Sequence, residues 1–92
     1  MVQKPNSRDR DHVRDYLIPV IHLMIKNNIP HTEAFKEIAA RLSVTTQTVT
    51  DRCSRGIDTT VSQFVELVKS NRIKTHLMNK FPLRRDLLQK EL

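Results

Sequence analysis

The chain has 92 residues, with 16 Lys and Arg against 10 Asp and Glu and a formal net charge of +6. That length suits one small domain and leaves no room for two. A single Gly, a single Cys and 4% aromatic residues exclude a hairpin-rich β protein, an internal disulfide and a glycine-rich phosphate loop.

Residues 1–10 are polar, contain Pro5 and lack periodicity, and are expected to form a flexible arm. A first helix is expected to start after Asp11, which can cap it. Val13, Tyr16, Leu17, Val20, Ile21 and Met24 then recur at spacings of three and four, one face of a helix. Pro19 lies inside that pattern. It removes a backbone donor, so it should kink the helix or split it. Asn27, Asn28 and Pro30 end the element. Thr32 is the expected N-cap of a second helix, with Glu33 in its first turn and Phe35, Ile38, Ala39 and Leu42 as its buried stripe. Ser43, Val44 and Thr45 interrupt it. A short helix over residues 46–55 should turn Val49 and Cys53 inward and end at Gly56 in the left-handed conformation.

Thr60 and Gln63 have the spacing of a capping box. They open a helix with Val61, Phe64, Val65, Leu67 and Val68 apolar, which Asn71 can close. Ile73, Leu77 and Phe81 repeat at four, and Pro82 stops that element. Leu87 and Leu88 suggest a last short amphipathic helix in a basic tail over residues 83–92. The expected fold is all-α: a compact bundle of four to five short helices, with its domain over residues 11–82.

Charge is unevenly placed. Residues 16–68 balance, whereas residues 69–92 hold seven basic residues against Asp86 and Glu91. A basic end beside a neutral middle favours a polyanion partner. No apolar run approaches the roughly 20 residues of a membrane span, and no signal-peptide pattern follows the N-terminus. One unpaired Cys suits a reducing compartment, so a cytoplasmic location is expected, at the nucleoid if the partner is DNA.

The stretch from Glu37 to Ser54 concentrates the functional signal. Ile38 is apolar and Ala39 is small where two helices would meet most closely. Leu42 closes the first helix, Val44 plugs the turn, and Val49 and Cys53 point inward from the second helix. Ser43 stands where Gly is commonest. This segment resembles a helix-turn-helix DNA-binding motif of the bacterial repressor type, spanning about residues 34–55. The resemblance implies that the second helix enters the major groove of double-stranded DNA, where its first turns meet base edges. On that alignment Thr45, Thr46, Gln47, Thr48, Thr50, Asp51 and Ser54 face the groove. Gln suits adenine, and Thr suits phosphate, base or the thymine methyl. Arg41, Arg52, Arg55 and Lys74 would reach the backbone, and Asp51 could instead pair with Arg55 four residues on.

The resemblance implies a transcription regulator, or the DNA-binding module of a larger protein. A homodimer would suit palindromic sites. His12, His22, His31 and His76 are scattered and offer no metal pair, no cofactor motif occurs, and nothing local suggests an enzyme. The alternative is a helical protein-interaction or dimerisation module that works through Leu77, Met78, Phe81, Leu83, Leu87 and Leu88 without DNA.

Overall fold

The structure is a computed structural model that describes residues 11–92; the arm expected at residues 1–10 lies outside them. The described residues form six α-helices and no strand: α1 (Ile18–Lys26), α2 (His31–Leu42), α3 (Thr46–Cys53), α4 (Val61–Lys69), α5 (Ile73–Lys80) and α6 (Arg85–Glu91). A wide π turn, His12–Leu17, runs into α1, and single 3₁₀ turns precede α4 (Arg55–Ile57) and α6 (Pro82–Arg84). The all-α class is as the sequence indicates. The helix number exceeds the expected four to five because the short amphipathic segment through Leu87 and Leu88 forms a helix of its own, α6.

Asp11 caps the first element, its Oδ1 accepting from the Val13 and Arg14 amides at 3.0 Å. Pro19 falls in the first turn of α1, where the π turn His12–Leu17 gives way to a regular helix, so the expected split takes the form of a change in helix type. The Ile18 amide bonds to Val13 O, five residues back, and this wider turn moves carbonyls away from the proline ring that would strike them in a regular helix.

The second helix starts earlier than expected. Pro30, not Thr32, is its N-cap, with φ −59° and ψ 151°. The fixed φ of proline sets the chain on course at once, and Ala34 N–H already bonds to Pro30 O at 2.9 Å. The His31 ring then packs edge-on against Phe35, one turn on, with centroids 5.7 Å apart.

With so little glycine, other residues take the left-handed positions: Asn28, Ser43, Asp58 and Asn71 all have positive φ. Three of them close their turns in the same way. Val44 N–H returns to Ala39 O, Thr59 N–H to Ser54 O, and Arg72 N–H to Leu67 O, at 2.9–3.0 Å. Each bond satisfies a carbonyl at a helix end that would otherwise lack a donor. Short polar side chains tolerate this conformation best after glycine. Asn71 thus closes α4 as anticipated, and Thr60 and Gln63 open it with a complete capping box.

Gly56 departs from expectation. It has no positive φ. The extra 3₁₀ turn in which it lies carries Ile57 into the core, and the left-handed residue is postponed to Asp58.

The core joins Val13, Leu17, Val20 and Ile21 to Ile38, Val49, Ile57, Phe64, Ile73, Leu77 and Leu88, all essentially fully buried. Phe35 and Phe64 lie 6.1 Å apart within it. Leu42, expected in the buried stripe of α2, is only partly covered. The C-terminal segment is bound to the rest: Leu88 is buried, His22 Nε2 donates to Glu91 O at 2.7 Å, and Arg84 pairs with Asp11. Among the described residues no helix is long and apolar enough to cross a membrane.

Candidate nucleic-acid interface

The α2–α3 corner is fixed from inside. Ala39 is buried at the meeting of the two helices, and Val49 and Cys53 have no exposed surface. In the turn, Ser43 takes φ 57° and ψ 42°. Glycine would adopt that conformation at less cost, which explains why serine there is a departure without being a break. Burial also pushes the Cys53 thiol far up, so it is protonated and packs as a small apolar group.

Outside this corner the side chains are polar and mostly bonded to one another. Thr45 is the N-cap of α3: its Oγ1 accepts from the Thr48 amide at 3.1 Å and lies 2.9 Å from the Thr48 hydroxyl. These two hydroxyls therefore hold the helix start. Thr46 and Gln47 are exposed. Thr50 is half-buried and donates to Thr46 O at 2.9 Å. Gln47 Nε2 donates to Asp51 Oδ1 at 2.9 Å, so Asp51 takes the amide as its partner and not Arg55.

Ser54 does not face outward. It is buried, donates from Oγ to Thr50 O at 2.8 Å, and accepts at its own carbonyl from the Ile57 and Thr59 amides. The helix has ended one residue before it, and the chain turns there to bury Ile57. Ser54 is a buried turn residue of the fold and lies outside the candidate interface.

The basic residues divide into two groups. Arg52 and Arg55 are exposed and, with Thr48, Asp51 and Gly56, line a shallow concavity of about 420 Å³. Arg52 lies over the Tyr16 ring, 5.5 Å from its centroid, a cation–π contact that holds the guanidinium in place. Arg55 makes no ion pair with a described residue. Arg41 is elsewhere. It pairs with Glu37 at 2.9 Å and lies near Pro19, His22 and Lys26. Lys74 lines a crevice with Ile21, His22 and Lys26. The structure therefore does not bring Arg41 and Lys74 to the α3 concavity.

Two residues behind this face, His12 and Gly56, have roles that the sequence did not show. His12 Nε2 donates to Arg52 O at 2.7 Å, across 40 residues. Its ring packs edge-on against Phe81 at 5.3 Å and Tyr16 at 6.4 Å. Burial lowers its pKa, partly offset by the hydrogen bond to Arg52 O. Gly56 lies directly against this ring: a Cβ there would fall 2.5 Å from His12 Cε1. The lone glycine was the available signal, but it marks a close approach and not a left-handed turn.

Among the described residues no group of three or more His, Cys, Asp and Glu is placed to hold a metal ion. No protein-family model matches the sequence, and neither the curated proteins nor the solved structures include a significant match to it.

Proposed function

We propose that this chain binds double-stranded DNA by laying the first turns of α3 into the major groove, as a transcription regulator or as the DNA-binding module of a larger protein. The observation that carries the reading is the division of α3 into two faces. Val49 and Cys53 anchor one face completely, while Thr46 and Gln47 remain exposed at the helix start with Arg52 and Arg55 on the same short helix and the turn after it. An α-helix with its side chains is about 10–12 Å across, which a major groove about 12 Å wide admits. The exposed amide and hydroxyl suit base edges, and the two guanidinium groups suit phosphates.

The reading as an apolar interaction module has less surface to work with. Leu77 and Leu88 are in the core, and Met78, Phe81 and Leu87 pack against it. Of that set only Leu83 stands free, 96% exposed.

The test is a site selection from random duplexes, followed by affinity measurement with the double variant Thr46→Ala, Gln47→Ala. The selected duplex should lose about tenfold or more in affinity, while binding to unrelated duplexes changes little. Unchanged affinity for the selected duplex would remove α3 from recognition.

A further inference from the structure

The hydrogen bond between Gln47 and Asp51 has a direction that chemistry dictates. A carboxylate only accepts. Asp51 must therefore receive an N–H of the Gln47 amide, and it does so at 2.9 Å. A spacing of four sets the pair one above the other on the helix. Asp51 is half-buried and takes no arginine among the described residues as an ion-pair partner, although Arg52 and Arg55 line the same concavity. The amide of an exposed glutamine otherwise turns freely, and either end can lead.

Held in this way, Gln47 keeps its carbonyl Oε1 and its second N–H for a ligand, one acceptor and one donor. In the major groove adenine offers the matching pair, an N6 donor beside the N7 acceptor. Guanine offers two acceptors, O6 and N7, and would set O6 against Oε1. We propose that Asp51 is a positioning residue that fixes the Gln47 amide for adenine and against guanine, without touching DNA itself. This rests on the DNA-binding reading above and adds to it the base that is read and the residue that sets the choice. It also accounts for a carboxylate on a face that otherwise suits phosphates: the charge weakens binding to every duplex, and the positioning sharpens the choice among them.

Two substitutions separate positioning from charge. Asp51→Ala removes both the charge and the acceptor. Asp51→Asn removes the charge and keeps an acceptor oxygen for the Gln47 N–H. Each variant is titrated, by fluorescence anisotropy, with the duplex selected by the unsubstituted chain and with the same duplex carrying G·C in place of each A·T pair in turn. Helical circular dichroism and thermal unfolding confirm that both variants fold.

The unsubstituted chain and Asp51→Asn should each prefer one A·T pair by about tenfold, and Asp51→Asn should bind all duplexes more tightly. Asp51→Ala should also bind all duplexes more tightly but lose most of that preference. Equal preferences in Asp51→Ala and the unsubstituted chain would overturn the proposal and leave DNA binding intact. Equal losses in Asp51→Ala and Asp51→Asn would overturn it too, because charge alone would then explain them. Absence of binding to any duplex at low salt would overturn the DNA reading and this inference together.

Discussion

The outer face of α3 and the seam that joins the two ends of the described chain are held by different kinds of contact. On α3 the polar side chains bond to residues three or four positions away: Thr45 with Thr48, Thr50 with Thr46, Gln47 with Asp51. At the seam the partners are distant in sequence. His12 reaches Arg52 O, His22 reaches Glu91 O, and Arg84 reaches Asp11. His76 adds a further stitch to Ile57 O at 3.0 Å. The first arrangement shapes a surface and, apart from the Thr45 cap, adds little to the support of the fold. The second closes the fold and leaves little free for a ligand. Substitutions should therefore separate: those on α3 alter binding, and those at the seam alter stability.

The largest expected effect tests the seam. Leu88 is fully buried on α6, and Leu88→Ala should cost about 2–5 kcal/mol, read from the urea midpoint. A cost near zero would mean that α6 is an appendage and that the comparison fails.

Next comes Gly56→Ala. The His12 ring that the new methyl would strike is clamped between Phe81, Tyr16 and a hydrogen bond. The strain should cost about 1–3 kcal/mol. Adding His12→Ala should recover part of it, a non-additivity expected of residues in contact. Strict additivity in that double variant would show that the ring is not the obstacle.

The third effect is on pH dependence. Desolvation holds His12 below the ordinary imidazole value of about 6.5 in the folded chain. Between the folded and unfolded values the unfolded chain binds more protons. The stability linked to neutral His12 is thus fully present above the unfolded pKa and is lost as pH falls through the folded one. Urea midpoints at pH 7.5 and 5.5 should fall further for the unsubstituted chain than for His12→Gln. Equal falls would leave His12 without a part in the acid sensitivity.

The smallest stability effect belongs to α3. Gln47→Ala removes an exposed side chain that is hydrogen-bonded to the half-buried Asp51, and unfolding should move by no more than about 0.5 kcal/mol. A loss as large as that of Leu88→Ala would make this face part of the scaffold.

The same contrast explains what the sequence made legible. Local chemistry was readable: Asp11 as a cap, Thr60 with Gln63 as a capping box, Asn71 as a closing residue, and the inward phase of Val49 and Cys53. Each depends on residues within one turn. What escaped depends on distant partners. Thr32 looked like the better cap, but Pro30 already directs the chain into α2. Gly56 looked like a terminator, but the His12 ring, 44 positions away in sequence, needs its missing side chain. Ser54 had the composition of a surface residue until the burial of Ile57 turned the chain inward there. The scattered histidines carried no motif, and three of them act as donors to backbone carbonyls far along the chain. On the candidate face, periodicity distinguished inside from outside except at Ser54. It did not show that Asp51 would take Gln47, or that Arg41 and Lys74 would lie away from the concavity.

The most direct test of the central claim is fluorescence anisotropy of a labelled mixed-sequence duplex titrated with the purified chain at low and at near-physiological salt. The account predicts saturable binding at low salt that weakens steeply as salt rises, because phosphate contacts release counterions. It further predicts that Arg52→Ala, Arg55→Ala weakens binding to all duplexes and flattens that salt dependence. No binding at low salt, from a chain of net charge +6, would contradict the assignment of α3 to DNA.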